Sequence, residues 1–451
     1  MPNMWHSLGF RESPYDSRPL KSSPDDAELL VGREQQGIDF CTTLDSSSEG
    51  VFVISGAPGV GKTSFFNVQQ YRLSTQTAAF GPHLLAAEAL CPIHPGDSAG
   101  DIAHRVLESL VKSVEIECRS TGARVPHQTA TVARWIRSSG QSSGSSFGLS
   151  IAGFGGSMGR TVSLPDFSVT SFEGLVDAIE GVVSEIVNTL HFGGCFVVLD
   201  NVENLSDDEL ANLLITFRDT LFCVPRVWWI VIGQSGLQSL IESLDPRVAE
   251  RLSGAMELTS LDLGEFEDAI RRRVERFSES AQASPLPARI HERLYNVSVG
   301  EIRFVLKTSN DVCTRFVSRI RQSVAEQMPE SAGDEVVQKA QQSVASYLVN
   351  QQIDESSAEA VLRELASEHL NGFNFNSREK TVLSTIFAKG EARPKDFRDY
   401  PVPSMQDFSS NYLSRFHRMY LLARRQEGRA VFYRLRGMVL LGAELGLLNA
   451  K

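Results

Sequence analysis

The segment Val51 to Phe66, VFVISGAPGVGKTSFF, holds residue types at a spacing suited to binding phosphate. From Gly56 through Ala57, Pro58, Gly59, Val60, Gly61 and Lys62 to Thr63 and Ser64 it reads G-x-x-x-x-G-K-T-S, after an apolar run. Gly56, Gly59 and Gly61 let the backbone curl so that successive N–H groups point inward at phosphate oxygens, and a helix starting near Lys62 adds the positive end of its dipole. The Lys62 ammonium can then reach β- and γ-phosphates, and the Thr63 hydroxyl is placed to ligate Mg²⁺. A metal held this way needs a carboxylate from a second strand. Cys195 to Asp200, CFVVLD, is an unbroken apolar run ending in an acid, as expected of a strand buried on both faces with a ligand site at its carboxyl end. Asp200 is the expected second Mg²⁺ ligand. The helix that follows has nearer caps in Ser206 and Asp207. Hydrolysis further requires a group to orient water. The next residue is Asn201, whose amide cannot accept a proton, so Glu203 is the nearby acid for that role, with a surface-loop glutamate as its alternative.

Long elements must position these groups. At 451 residues the chain exceeds one compact core, and about three structural units are expected. With 42% hydrophobic and 22% charged residues, the composition is that of an ordinary globular protein. The six cysteines have no metal-ligand or redox spacing, which excludes a zinc or disulfide framework, and no run is long and apolar enough for a signal or bilayer-spanning segment. A cytoplasmic location is the expectation. The net charge of −11 is unevenly spread: Asn371 to Lys451 carry 14 Lys+Arg against 7 Asp+Glu, a surplus of +7, which leaves −18 on the preceding chain. A basic end on an acidic body points toward nucleic acid.

Several motifs in order, from Leu29 to about Val305, resemble the AAA+ ATPases of the origin-recognition type and their STAND relatives. LLVGREQQ is similar to the box preceding the phosphate loop in that family. The resemblance implies that Val31, Gly32 and Arg33 pack near the adenine of ATP. CFVVLDNVENL is similar to a STAND Walker B segment, in which Asn often follows the aspartate. VWWIVIGQSGL resembles a sensor-1 strand, which implies Gln234, or else Ser235, as the γ-phosphate sensor. The region from Asp245 resembles one in which an arginine ahead of a strand reaches a neighbouring subunit's nucleotide. That implies Arg251 as an arginine finger, with Arg247 as competitor. VSVGEIRFVLKTSND resembles a sensor-2 helix and implies Arg303 as the lid-side contact to ATP.

The expected fold class is therefore α/β: a P-loop NTPase parallel sheet of AAA+/STAND type with a helical lid and a C-terminal winged helix-turn-helix. The expected boundaries are 1–264 for the ATPase core, 265–323 for the lid, 324–370 for connecting helices and 371–451 for the winged helix. A Gly/Ser-rich insert near 138–160, SSGQSSGSSFGLSIAGFGGSMG, interrupts the core. A strand over LLAAEALCPI and helices over DIAHRVLESLVKSVEI and FEGLVDAIEGVVSEIVNTL complete it. In the last module, NSREKTVLSTIFAKG, ARPKDFRDY and SMQDFSSNYLSRFHRMYLLAR read as three helices, and EGRAVFYRLR reads as a β-wing. The third helix would present Gln406, Ser409, Ser410 and Asn411 to a major groove, with Arg415 and Arg418 further along. Arg424, Arg425 and Arg429 would lie along phosphates of double-stranded DNA. The alternative is a module that packs against the ATPase or a protein partner. These features imply a nucleotide-dependent homo-oligomer with ATP and Mg²⁺ as ligands and DNA, or a protein effector or trigger, as partner.

Overall fold

The structure, a computed structural model, describes residues 4–77, 80–87, 91–140, 171–279, 283–327, 339, 343–344, 346–348, 352–427 and 430–448. The expected Gly/Ser-rich insert lies almost wholly outside these, as does Arg429. The described residues form two compact units, Leu20–Pro58 with Lys62–Thr259, and Met1–Pro19 with Gly59–Gly61 and Ser260–Lys451. Among the described residues no helix is long and apolar enough to cross a membrane.

The first unit is built on an all-parallel sheet. Its strands are β1 (Gly50–Gly56), β2 (Leu84–Ala86), β3 (Cys91–Pro92), β4 (Gly194–Asp200), β5 (Val227–Ile232) and β6 (Leu252–Leu258). Their spatial order is β2-β4-β5-β1-β6, with β3 also paired to β4. β5 thus lies between the phosphate-loop strand and the strand ending in Asp200, in register through Val51–Trp229 and Val197–Trp229. The interior strands are continuous apolar runs because helices cover both faces, and Trp228 and Trp229 are fully buried on successive positions of β5. β2 and β3 correct the expectation of one strand over LLAAEALCPI: both fragments pair with β4, at Leu84–Gly194 and Cys91–Leu199.

Helices Ala99–Thr121 and Phe172–Asn188 pack on the β2, β3 and β4 side of the sheet, and His127–Gly140 packs against both of these helices. Helix Ala99–Thr121 has a reciprocal Ser98–Asp101 capping box and ends at the left-handed Gly122. Helix His127–Gly140 begins without a local cap. Its Gln128 and Thr129 N–H groups, each at 2.8 Å, donate instead to the Glu185 carboxylate on helix Phe172–Asn188, which places a negative charge on the positive end of the helix dipole.

In the second unit the N-terminal segment is tied to helices Leu263–Phe277, Ala288–Ser298 and Ile302–Glu326 through Arg11 N to Phe277 O, Tyr15 to His291 and Ser13 to Asn310, and helix Glu355–Gly372 packs on the latter two helices. These first residues, read from sequence as part of the core, group instead with the helices. Tyr15 is buried with its hydroxyl 3.0 Å from His291 Nε2 and 2.9 Å from Ser284 Oγ.

The winged module starts with helix Ser377–Lys389, capped reciprocally by Asn376 and Glu379 and stopped at Gly390. Ala392 bridges Tyr433, a 3₁₀ turn spans Pro394–Asp399, and the third helix runs in three pieces: Met405–Asp407, a π-helical Phe408–Ser414, and Arg415–Arg418. It ends before the expected LLAR, which instead opens strand β7 (Leu422–Glu427), antiparallel to β8 (Ala430–Leu435). Leu421 and Leu422 are drawn inward by the core of Leu383, Phe408 and Phe416, and this hydrophobic pull overrides the continuing helical pattern. The helix Gly437–Glu444 closes the module.

Candidate nucleotide-binding site

The loop after β1 has the backbone that its glycines allow. Gly59 and Gly61 take φ of +75° and +100°, and a Cβ on Gly61 would meet nothing within 4 Å, so the backbone there faces open space that a phosphate can approach. Helix Lys62–Ser74 begins directly behind it. Lys62 Nζ donates to Gly56 O at 2.8 Å and to Ala57 O at 3.2 Å, which curls its ammonium over the loop. Ser64 has a structural partner, accepting from Leu20 N at 3.1 Å, and Pro58 and Thr63 are half-buried beside it. Val60 is buried.

Because all strands are parallel, residues at their carboxyl ends share one edge of the sheet. Gly56, Asp200, Glu203 and Gln234 all fall on that edge, following β1, β4 and β5. Asp200 ends β4, and its Oδ1 accepts from Asn201 N at 2.9 Å. Asn201 occupies the left-handed region, φ 62° and ψ 40°, a conformation that asparagine tolerates better than most residues. The asparagine after Asp200 is therefore explained by the turn it makes. That turn leads into the 3₁₀ segment Val202–Asn204, which carries Glu203.

Glu203 is exposed over much of its surface, yet its carboxyl reaches back toward the end of β5, 3.5 Å from where a Cβ on Gly233 would stand. Burial raises the pKa of this carboxyl from its ordinary value, with the Lys62 charge opposing and the Asp200 charge adding to the rise. Lys62, Asp200 and Glu203 thus share one electrostatic neighbourhood. A hydroxyl and a carboxylate form a hard-oxygen donor set that suits Mg²⁺, which takes one or two protein ligands and completes its shell with phosphate and water. Among the described residues no cluster of three or more His, Cys, Asp or Glu could hold a metal by itself.

Other expected residues stand elsewhere. Arg33 is buried and its Nη2 donates to Thr259 O at 2.6 Å, tying the turn at Val31 and Gly32 (φ 66°) to the end of β6. Gln234 and Ser235 are exposed, and Gln234 O accepts from Leu237 N at 3.2 Å. Arg247 and Arg251 are both exposed, and their charges, after that of Arg218, help hold the Asp219 carboxyl low. Arg251 directly precedes β6, whose Leu252 pairs with Val51 at the start of β1. It therefore lies at the amino end of the sheet, about 20 Å from its own phosphate loop at roughly 3.3 Å per strand residue. In the second unit Arg303 is exposed at the start of helix Ile302–Glu326.

On the winged module Gln406, Ser410 and Arg418 are exposed and Ser409 is half-buried. Asn411 Nδ2 donates to Asp407 Oδ1 at 2.6 Å, and Arg415 Nη1 donates at 2.6 Å to the buried carboxylate of Glu379. Arg424 and Arg425 are exposed on the wing, and Arg425 pairs with Glu391 at 3.3 Å. Sequence reading missed the group around Phe432, where Arg425 stands 5.0 Å and Arg393 5.7 Å from the ring centre. Burial and the charge of Arg425 lower the Arg434 pKa. The signal was available: Phe432 and Arg434 alternate on one face of a strand.

The fold and site define an α/β P-loop chain that carries a winged helix. Across nearly its whole length it is similar in structure to Aeropyrum pernix ORC2, solved as ADPNP–ADP complexes (14% identity, TM-score 0.44, 96% of both chains). It is also similar to Aeropyrum pernix ORC1 in complex with DNA (14%, 0.40, 98% of this chain and 95% of that one) and to Cdc6p from Pyrobaculum aerophilum (13%, 0.40, 97% and 98%). No protein-family model and no curated protein matches the sequence.

Proposed function

We propose that this chain is an ATP-binding and ATP-hydrolysing switch that assembles with copies of itself and engages double-stranded DNA through its winged module. The observation that carries the reading is the gathering of Lys62, Asp200 and Glu203 at the carboxyl edge of a parallel sheet behind a glycine loop. Loop N–H groups and Lys62 would hold the β- and γ-phosphates, and Thr63 with Asp200 would hold Mg²⁺, which offsets charge on the phosphates. Glu203 would accept a proton from the attacking water. Its raised pKa brings it nearer the working pH, where a general base is most effective. Gln234, beyond the strand between β1 and β4, would sense the γ-phosphate, Arg303 would approach it from the lid side, and Arg251 would serve the site of another subunit.

The basic surplus of the last 81 residues supports DNA as the partner. A second reading, a STAND-type signalling or defence switch whose winged module docks protein, is favoured by the acids that already pair with Arg415 and Arg425. Turnover measured with and without duplex DNA separates the two. The first reading expects stimulation or inhibition by DNA, lost together with turnover in Lys62→Ala, and no DNA binding at all would leave the second. Undiminished turnover in Lys62→Ala would remove both.

A further inference from the structure

Glu301 precedes the helix Ile302–Glu326, and its side chain lies against the phosphate loop residue that groups with this unit. A Cβ built on Gly59 would stand 2.3 Å from Glu301 Cγ and 2.8 Å from its Oε1. The carboxylate also forms an ion pair with Arg436, and the two side chains are only 18% and 13% exposed. Arg436 belongs to the frame of the winged module. It joins β8 to the helix Gly437–Glu444, donates its N–H to Leu421 O at 3.2 Å, and stands with its guanidinium 5.5 Å from the Tyr420 ring centre. The contact is tight, since a Cβ on Gly437 would come within 3.1 Å of Phe304 on the same helix as Arg303.

A carboxylate beside a loop that must receive a triphosphate opposes binding unless its charge is cancelled, because like charges a few ångströms apart in a partly dry site repel strongly. Arg436 supplies the cancelling charge. We propose that the Glu301–Arg436 pair is the link by which the winged module sets nucleotide affinity. With Arg436 in place the loop accepts ATP. When Arg436 is drawn away, the bare Glu301 carboxylate beside Gly59 disfavours the phosphates. Linkage is reciprocal, so bound nucleotide in turn holds Arg436 in place. The inference rests on the reading of the loop as an ATP site.

The test is equilibrium binding of ATP and of ADP to the full-length chain, as wild type, Arg436→Ala, Glu301→Gln and the double variant. Arg436→Ala should weaken ATP about tenfold and ADP less, since ADP carries less charge. Glu301→Gln should bind ATP at least as tightly as wild type, and adding Arg436→Ala to it should change nothing further. Should Arg436→Ala fail to fold, Arg436→Gln keeps a polar stem beside Tyr420, removes the charge and carries the same expectations. Unchanged affinity in the Arg436 variant, or equal weakening with and without Glu301→Gln, would overturn the coupling. Failure of the wild-type chain to bind ATP would instead refute the reading of the loop.

Discussion

Replacing Gly233 with alanine should separate the positioning of Glu203 from the binding of nucleotide. Gly233 follows β5, and its N–H donates to Ile54 O at 3.1 Å, so its backbone is fixed. A Cβ there would lie 2.7 Å from Leu237 Cδ2 and 2.8 Å from Val202 Cγ2, where carbon contacts relax to about 3.5–4.0 Å. Both neighbours are buried, so each must yield by roughly 1 Å, and overpacking of that size costs about 1–3 kcal/mol. Lost freedom of the unfolded chain offsets about 0.4–1 kcal/mol of that. The net loss of about 0.5–2 kcal/mol should lower Tm by a few degrees, at roughly 2–4 °C per kcal/mol. Val202 directly precedes Glu203, so the shift passes to the carboxylate, and a misplacement of about 1 Å can cost on the order of 100-fold in rate. Steady-state turnover should fall by about 10- to 100-fold while ATP affinity, measured by calorimetry, changes only a few-fold. Wild-type turnover in a variant whose Tm has fallen would show that the Val202–Glu203 turn does not position the reacting water.

Glu203→Gln should slow turnover by about 10²- to 10⁴-fold with ATP affinity kept, and should abolish the loss of rate that wild type shows as acid protonates this carboxyl. A carboxyl with a raised pKa favours the folded state at low pH and loses that contribution as pH rises through its folded value, so the Gln variant should also melt higher at neutral pH. His291 is buried and pushed down to about 4, so the unfolded chain binds its proton first. Stability should fall as pH drops from about 6.5 toward 4, by up to roughly 3 kcal/mol, and acid titration of His291→Gln should lack that component. Changing Arg424, Arg425 and Arg429 together to Glu should weaken DNA of every sequence alike and flatten the salt dependence by about 0.9 log units per lost contact, whereas Gln406→Ala with Asn411→Ala should shift preference among sequences. Arg251→Ala subunits should regain turnover when mixed with Lys62→Ala subunits, which lack a working site but supply the arginine; no gain on mixing would count against a role in a neighbour's site.

The sheet was legible because its interior strands β1, β4 and β5 are largely apolar runs, each ending in or followed by a residue that does not fit the run: Gly56, Asp200 and Gly233. The short β2 and β3 were legible only as one strand, since LLAAEALCPI reads as a single mostly apolar run whereas five positions from Ala86 to Cys91 face only three on β4, from Phe196 to Leu199. The helix His127–Gly140 gave little local signal, because its N-terminus is satisfied by Glu185 from another helix. In the winged module the helix pattern of FHRMYLLAR continues past Arg418, and only the packing of Leu421 and Leu422 into the core turns the chain into β7.

The same distinction decides the site. The glycine loop, Lys62 and Asp200 are local in sequence or end a strand, so their type and spacing are enough to propose a role for them. Arg33, Arg415 and Glu301 take theirs from Thr259, Glu379 and Arg436, far along the chain, and no spacing rule links such partners. Arg251 shows what topology adds to motif. Its place before β6 is readable from sequence, but only the parallel pairing of β6 with β1 shows that it stands at the opposite edge from Gly56. An arginine a full strand length from its own loop cannot touch the phosphates held there. If it acts on ATP at all, a second copy of the chain must bring its loop to that amino edge, so the sheet's polarity makes assembly a requirement of any catalytic role for Arg251.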